Sequence, residues 1–228
     1  MGSKKRTLLW WSSGKDSAWA LQQLSEDPKL AVLGLITTIN EEYQRVAMHG
    51  VRIDLLRRQA DSLGLPLHVW PIPNPCTNEQ YEAVVAAILE DAGRRQIQCM
   101  AFGDLFLDDV RAYRERILSG SDLEPVFPLW GLATEPLARL MVAQGVRARV
   151  ATVDTRQLSA EFAGRMFDNQ FLDDLPSGVD PCGEYGEFHT FVYDAPLFRK
   201  RLAVRIGDTV QREGFAFTDL IPEDSSND

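Results

Sequence analysis

Through the first half of the chain, short apolar runs alternate with stretches whose apolar residues recur at helical spacing, the rhythm of a parallel sheet with helices on both faces. Residues 7–11, 30–39, 67–72 and 99–103 read as buried strands. Residues 17–24, 51–63, 78–92 and 108–118 read as the intervening helices, with Asn78 as a cap and Gly64 and Gly93 as stops. Beyond residue 130 the rhythm changes to a helix over 136–144, a strand over 146–153 and a glycine-containing loop over 177–193 that enters a strand. Residues 202–206 and 214–218 are candidates to pair as further strands. The expectation is an α/β domain over 1–130 and a smaller α+β region over 131–228.

The first strand and first helix are joined by Ser12-Ser13-Gly14-Lys15-Asp16-Ser17. Small residues there let backbone N–H groups turn toward one point, and the helix start adds the positive end of its dipole, so the loop suits a phosphate group. The phosphate loop of kinases and GTPases would need glycine in place of Leu9 and serine or threonine in place of Asp16; neither is present. The segment instead resembles the PP-loop of the ATP pyrophosphatases, usually Ser-Gly-Gly-Lys-Asp-Ser, with Ser13 where the first glycine stands. Serine is expected to serve there in an ordinary backbone conformation. The resemblance implies a loop that grips the β and γ phosphates as one leaving group, so that ATP is split into AMP and pyrophosphate.

In an open parallel sheet, ligands bind beyond the carboxyl ends of the strands. The loop, Thr37 with Thr38, and Gly103 with Asp104 are all expected at such ends. A second constellation lies far along the chain, where residues 181–190 bring Glu184, Glu187 and His189 together with Gly183 and Gly186. If the part after Gly186 is extended, Glu187 and His189 share a face. Two carboxylates and an imidazole in that arrangement could bind an ammonium group, hold Mg²⁺ or move a proton near neutral pH. His49 is expected beyond the second strand, within possible reach of the same crevice, and His68 reads as structural.

The Ser12–Ser17 loop followed by Gly183-Glu184-Tyr185-Gly186-Glu187-Phe188-His189-Thr190 resembles the diphthine–ammonia ligase family, in which asparagine is frequent at the place of Tyr185. Phe102-Gly103-Asp104-Leu105-Phe106-Leu107 and Phe127-Pro128-Leu129-Trp130-Gly131 match intermediate family segments. The resemblance implies a Rossmann-like PP-loop ATPase fold closed by a C-terminal substrate region. It also implies a reaction in which a carboxylate is adenylated by ATP with Mg²⁺ and ammonia then displaces AMP. On that basis Ser12, Ser13, Gly14, Lys15, Asp16, Ser17, Thr37 and Gly103 would contact the nucleotide, and Asp16 and Asp104 the metal. Lys15, Asp104, Glu184, Glu187 and His189 would serve catalysis. The identity of the carboxylate stays open, and with no length left for a fused glutaminase, ammonia would come from solution or a partner.

Composition narrows the remaining classes. A formal charge of −9 disfavours a broad nucleic-acid surface and, with no paired cysteines, a thiolating RNA-modifying enzyme. A non-catalytic nucleotide sensor is the other alternative. The three cysteines are odd in number and widely spaced, which favours reduced thiols. The basic start is followed by too few apolar residues for a signal peptide, and no run reaches membrane-spanning length, so a cytoplasmic protein is expected. Residues 222–228 read as a solvated acidic tail, and oligomeric state is left open.

Overall fold

The computed structural model describes residues 3–46 and 49–223. The expected acidic tail lies outside the described residues from Asp224 onward, whereas Pro222 still belongs to a strand.

The first sheet contains β1 (Lys5–Trp10), β2 (Leu30–Asn40), β3 (Arg45–Val46), β4 (Leu67–Ile72), β5 (Cys99–Ala101) and β6 (Glu124–Val126). Its parallel strands lie in the order β4-β2-β1-β5-β6, and β3 adds an antiparallel pair at the far end of β2. The chain therefore winds outward from β1 in one direction and returns to wind outward in the other. That reversal opens a crevice between the carboxyl ends of β1 and β5, where such sheets bind ligands.

Alternation along the strands separates two apolar layers. Leu9, Leu35 and Ala101 pack with Trp19 and Leu24 of α1 (Lys15–Glu26) and with Leu55 of α2 (Ile53–Leu63). Leu8, Ile36 and Met100 face the other way, toward Ile88 of α3 (Asn78–Arg94) and Leu118 of α4 (Asp108–Leu118). Each fully buried leucine or isoleucine in these layers contributes roughly 1.5–3 kcal/mol of burial free energy. Helices thus cover both faces, as the alternating pattern predicts.

The helix ends differ in detail from the sequence reading. Thr77, not Asn78, caps α3: its side chain accepts the Gln80 N–H while the Gln80 side chain accepts the Thr77 N–H. With its start fixed by this reciprocal pair, α3 runs on through Gly93. Gly64 does end α2, in the left-handed conformation at φ 67°.

The C-terminal part is built around β7 (Arg147–Asp154), which is antiparallel to every neighbour. β8 (Met166–Phe167) and β11 (Phe215–Pro222) pair with it on one side, β9 (Phe188–Asp194) on the other, and β10 (Val204–Arg212) forms the outer edge beyond β11. α5 (Thr134–Ala143) and α6 (Asn169–Asp174) complete this α+β region. Its buried Val150, Phe188 and Phe191 belong to the same apolar cluster as Leu9 and Trp11, so the two sheets share one core. Among the described residues, no helix is long and apolar enough to cross a membrane.

Candidate functional site

The crevice at the strand-order reversal is a cavity of about 200 Å³. One wall is the loop after β1 and the first turn of α1, contributing Ser12, Gly14, Lys15, Asp16 and Ser17. A second wall follows β5, with Phe102, Gly103 and Asp104, and Arg114 reaches in from α4. The third comes from the C-terminal part and carries Gly183, Glu184, His189 and Thr190, with His49 beside it. Segments separated by well over a hundred residues of sequence therefore close on one volume.

The loop after β1 takes its shape from three hydrogen-bond groups. Ser17 Oγ donates to the Gly14 carbonyl, and Ser12 Oγ accepts from the Gly14 N–H. The Ser13 carbonyl accepts from the Val192 N–H of β9 and from Gln59 Nε2 of α2. Ser13 adopts φ 74°, contrary to the ordinary conformation expected of a serine replacing glycine. This left-handed conformation is unfavourable for a side chain carrying a Cβ, and here the two partners on its carbonyl hold it. The Ser13 side chain is buried outside the cavity lining, with its Oγ unpartnered.

Gly14 is required by close approach: an added Cβ would lie 3.2 Å from the Thr190 carbonyl oxygen and 3.3 Å from Ser12 Oγ. Gly14 also starts α1 without a side-chain cap. Lys15 N–H is taken by Thr190 Oγ1 at 3.0 Å, while the next N–H groups, of Asp16 and Ser17, have no intrahelical acceptor and remain for an anion. Gly103 packs against the same turn, where a Cβ would meet the Asp16 carbonyl carbon at 3.1 Å.

Lys15 is the buried cation of the site. Its ammonium donates to the Cys182 carbonyl and to Asp16 Oδ2, the latter at 2.8 Å, with the rings of Phe188 and Phe167 within 5.3 and 5.5 Å. Burial works against its charge, but Asp16, Cys182 and Glu184 more than offset that, and its pKa lies above the ordinary lysine value. For Asp16, burial outweighs the pull of Lys15 and raises the carboxyl. Its Oδ1 is buried without a partner.

Asp180, not singled out in the sequence, organises the third wall. Its Oδ2 accepts from the N–H groups of Cys182 and Glu184, and its carbonyl accepts from Gly183 N–H. Gly183 sits at φ 68°, where a Cβ would fall 2.7 Å from the Phe188 carbonyl oxygen. Glu184 Oε1 accepts from Leu105 N–H at 2.8 Å and Phe106 N–H at 3.4 Å, which joins this loop to the segment after β5. Burial pushes the Glu184 carboxyl up to about 7, reinforced by Asp16 and Asp104 and opposed by those two N–H groups. Burial, then Lys15, holds His189 down to about 4. Its ring lies 4.4 Å from that of His49, which burial, His189 and Lys15 together keep well below the ordinary imidazole value.

Besides Ser13, two expected site residues fall elsewhere. Thr37 is buried inside β2, paired in register with Val69, because the strand continues to Asn40; it does not line the cavity. Glu187 does not share a cavity face with His189. It precedes β9, and its side chain turns inward so that Oε1 accepts the Asp180 N–H at 2.8 Å, which places it under the loop. Asp104 does line the cavity, with Oδ2 accepting from Arg114 Nε at 3.2 Å. The Arg114 guanidinium also lies over Phe102 and Trp10, at 5.1 and 5.8 Å from the ring centroids.

Among the described residues, no three His, Cys, Asp or Glu side chains form a ready metal cage. Mg²⁺ commonly uses one or two carboxylates and completes its shell with phosphate oxygens and water. The unpartnered Asp16 Oδ1, on a residue that lines the same cavity as Asp104 and the α1 turn, fits that mode of binding.

The chain matches the family model of the diphthamide synthase N-terminal domain over residues 5–124 and that of the diphthamide synthase C-terminal domain over 133–220. It is 25% identical to the diphthine–ammonia ligases of Bos taurus and Homo sapiens, in alignments covering 90% of this chain and 85% of each relative. The diphthine–ammonia ligase of Schizosaccharomyces pombe is also 25% identical, over 88% of this chain and 36% of that longer protein.

Proposed function

The chain belongs to the diphthamide synthase family, and from that premise we propose that it is an ATP-dependent ligase which adenylates a carboxylate and transfers ammonia to it. A carboxylate oxygen attacks the α-phosphorus, pyrophosphate leaves, and ammonia then displaces AMP from the acyl carbon to give an amide. The observation that carries this reading is the single cavity bounded by the α1 turn on one side and by Glu184 and His189 on the other.

In this scheme the Asp16 and Ser17 N–H groups and the Lys15 ammonium neutralise phosphate oxygens. Lys15 enters the reaction already charged and already oriented by Asp16 and the Cys182 carbonyl, so little reorganisation accompanies charge development. Mg²⁺, when bound, would be held by Asp16 and Asp104 and would supply charge neutralisation on the phosphates. Glu184 exchanges a proton near neutrality while its Oε1 stays tied to Leu105 N–H. Glu187 and Asp180 act as positioning residues that keep Glu184 and the Cys182 carbonyl in place.

The relatives are named for diphthine as the acceptor and ammonia as the donor; for this chain the substrate is proposed as a carboxylate without further identity. Cys76, Cys99 and Cys182 are free thiols, which fits a reducing, cytoplasmic setting. Incubation with ATP, Mg²⁺, ammonium and a panel of carboxylates should release AMP and pyrophosphate. Release of ADP and phosphate instead would refute the assigned bond cleavage.

A further inference from the structure

On the ligase reading above, the cavity must accept two anions: the phosphates of ATP and the carboxylate that attacks them. Among the described residues its lining carries two permanent cations, Lys15 and Arg114. The Lys15 ammonium is spent at the α1 turn, where its side chain is only 2% exposed and donates to Asp16 and the Cys182 carbonyl. His49 and His189 are held below the ordinary imidazole value and stay uncharged near neutral pH. Asp16, Asp104 and Glu184 make the rest of the lining acidic. A second anion entering this space has one open cation to meet.

α4 brings Arg114 to the wall after β5, where its side chain is 20% exposed and lines the cavity. Nε donates to Asp104 Oδ2 at 3.2 Å, and among the described residues that is the one hydrogen bond the guanidinium makes. The Tyr81 hydroxyl also lies in its field but is a neutral group. The side edge of the fork is thus used, while the end edge, with its two terminal amino groups, is left. Those N–H donors run parallel, at the spacing of the two oxygens of a carboxylate. The plane of the fork is held by stacking over Trp10 and Phe102, two rings that themselves stack at 6.0 Å and line the same cavity. Arg111, about one turn earlier on α4, stacks on Phe127 and Trp130 and pairs with Glu115, and it does not line the cavity.

We propose that the terminal amino groups of Arg114 bind the acceptor carboxylate and hold it against the α-phosphate. The proposal rests on the ligase reading. Lys15 and the α1 turn then serve the nucleotide, and Arg114 serves the acceptor. Two parallel hydrogen bonds fix the plane of the carboxylate and leave each oxygen a lone pair, one of which attacks phosphorus. As that O–P bond forms, the bond from the α-phosphorus to the bridging oxygen breaks, its electron pair leaving on pyrophosphate. The bound carboxylate has then become a neutral acyl group, so its hold on the guanidinium weakens and the acyl carbon is freed for ammonia. A lysine here would supply charge without the fork that orients.

The test uses the full chain with Mg²⁺ and α,β-methylene-ATP, which fills the nucleotide side and has no bridging oxygen to break. Trifluoroacetate is the probe, read by ¹⁹F NMR. Its resonance should move saturably with wild type, and that of the neutral isostere trifluoroacetamide should not. Arg114→Gln, with its fold checked by circular dichroism, should weaken the trifluoroacetate dissociation constant by about 10–10²-fold. Arg114→Lys should fall between, and Arg111→Gln should match wild type. Calorimetry should find the affinity for α,β-methylene-ATP unchanged in Arg114→Gln. No movement with wild type, or an unchanged movement with Arg114→Gln, would overturn the assignment. So would an equal loss of nucleotide and trifluoroacetate affinity, which would give the guanidinium to phosphate. Where Arg114→Gln does not fold, Arg114→Lys decides alone, and wild-type affinity for trifluoroacetate in it overturns the assignment. AMP and pyrophosphate release with the carboxylate panel is measured separately. A wild type that binds trifluoroacetate through Arg114 yet never makes AMP would sink the ligase reading and leave the carboxylate clamp standing, whereas undiminished AMP release by Arg114→Gln would sink the clamp alone.

Discussion

Lys15 donates its backbone N–H to Thr190 Oγ1 at 3.0 Å, a contact between residues 175 positions apart that fixes the first turn of α1 to the strand carrying His189. The side chain of the same lysine reaches the Cys182 carbonyl, so both ends of Lys15 are held by the C-terminal part. The α1 turn and the acidic-imidazole wall are therefore one construction.

Replacing Lys15 with methionine should lower kcat for AMP release by about 10²–10³, the loss typical of removing one preorganised charge-stabilising donor. Thermal unfolding monitored by circular dichroism should still show a cooperative fold. Undiminished turnover in the folded variant would remove the ammonium from the mechanism.

Thr190→Val keeps the shape of the side chain but leaves the Lys15 N–H without its acceptor. Urea unfolding should show a loss of about 1–3 kcal/mol, together with weaker ATP binding. Thr190→Ser, which retains the hydroxyl, should restore most of both; if it behaves like valine, the hydrogen bond is not what matters.

Gln59 is fully buried and makes three hydrogen bonds: Oε1 accepts from Trp11 Nε1 at 2.8 Å, and Nε2 donates to the Ser13 and Val192 carbonyls. Gln59→Leu strands polar groups on both sides of the loop, each worth about 1–3 kcal/mol when left unpaired. Calorimetry should show a lower melting temperature and titration a weakened ATP affinity. A change in neither would mean that Ser13 holds its backbone without this support.

The Glu184 carboxyl titrates at about 7 in the folded chain against 4.5 ordinarily, so the folded state binds the proton more tightly than the unfolded chain does. Stability from this group is fully present below pH 4.5 and falls as pH rises toward 7. At about 1.4 kcal/mol per pH unit, the whole effect is at most roughly 3–4 kcal/mol. His189, held down to about 4, works in the opposite sense, its stabilisation being lost as pH falls from 6.5 toward that value. The two are separated by comparing wild type with Glu184→Gln: the difference in unfolding free energy should move against wild type as pH rises across that window. A pH-independent difference would show that Glu184 titrates normally.

The sequence carried the parts of this site whose chemistry is local. Gly14, Lys15 and Ser17 are legible because a strand, a small-residue turn and a helix stand next to one another, and the crevice follows from where the parallel strands end. The capping box at Thr77 and Gln80 was equally available in the residues themselves. Gln59 was not, because a polar side chain among Arg57, Arg58 and Asp61 reads as the wet face of an amphipathic helix until the tertiary fold turns it inward. Arg114 was hidden in the same way on α4. Glu187 misled because the two-residue period of a strand applies only from Phe188 onward, and one residue earlier the chain is still turning. Ser13 misled because its backbone is set by Val192 and Gln59, neither of which is near it in sequence.

The Val192-to-Ser13 hydrogen bond has a practical corollary for anyone dissecting this enzyme. Cutting the chain near residue 130 should not liberate an intact nucleotide-binding module, because one of the two hydrogen bonds that hold the serine at the heart of the turn comes from the discarded half. The smallest working unit is the pair.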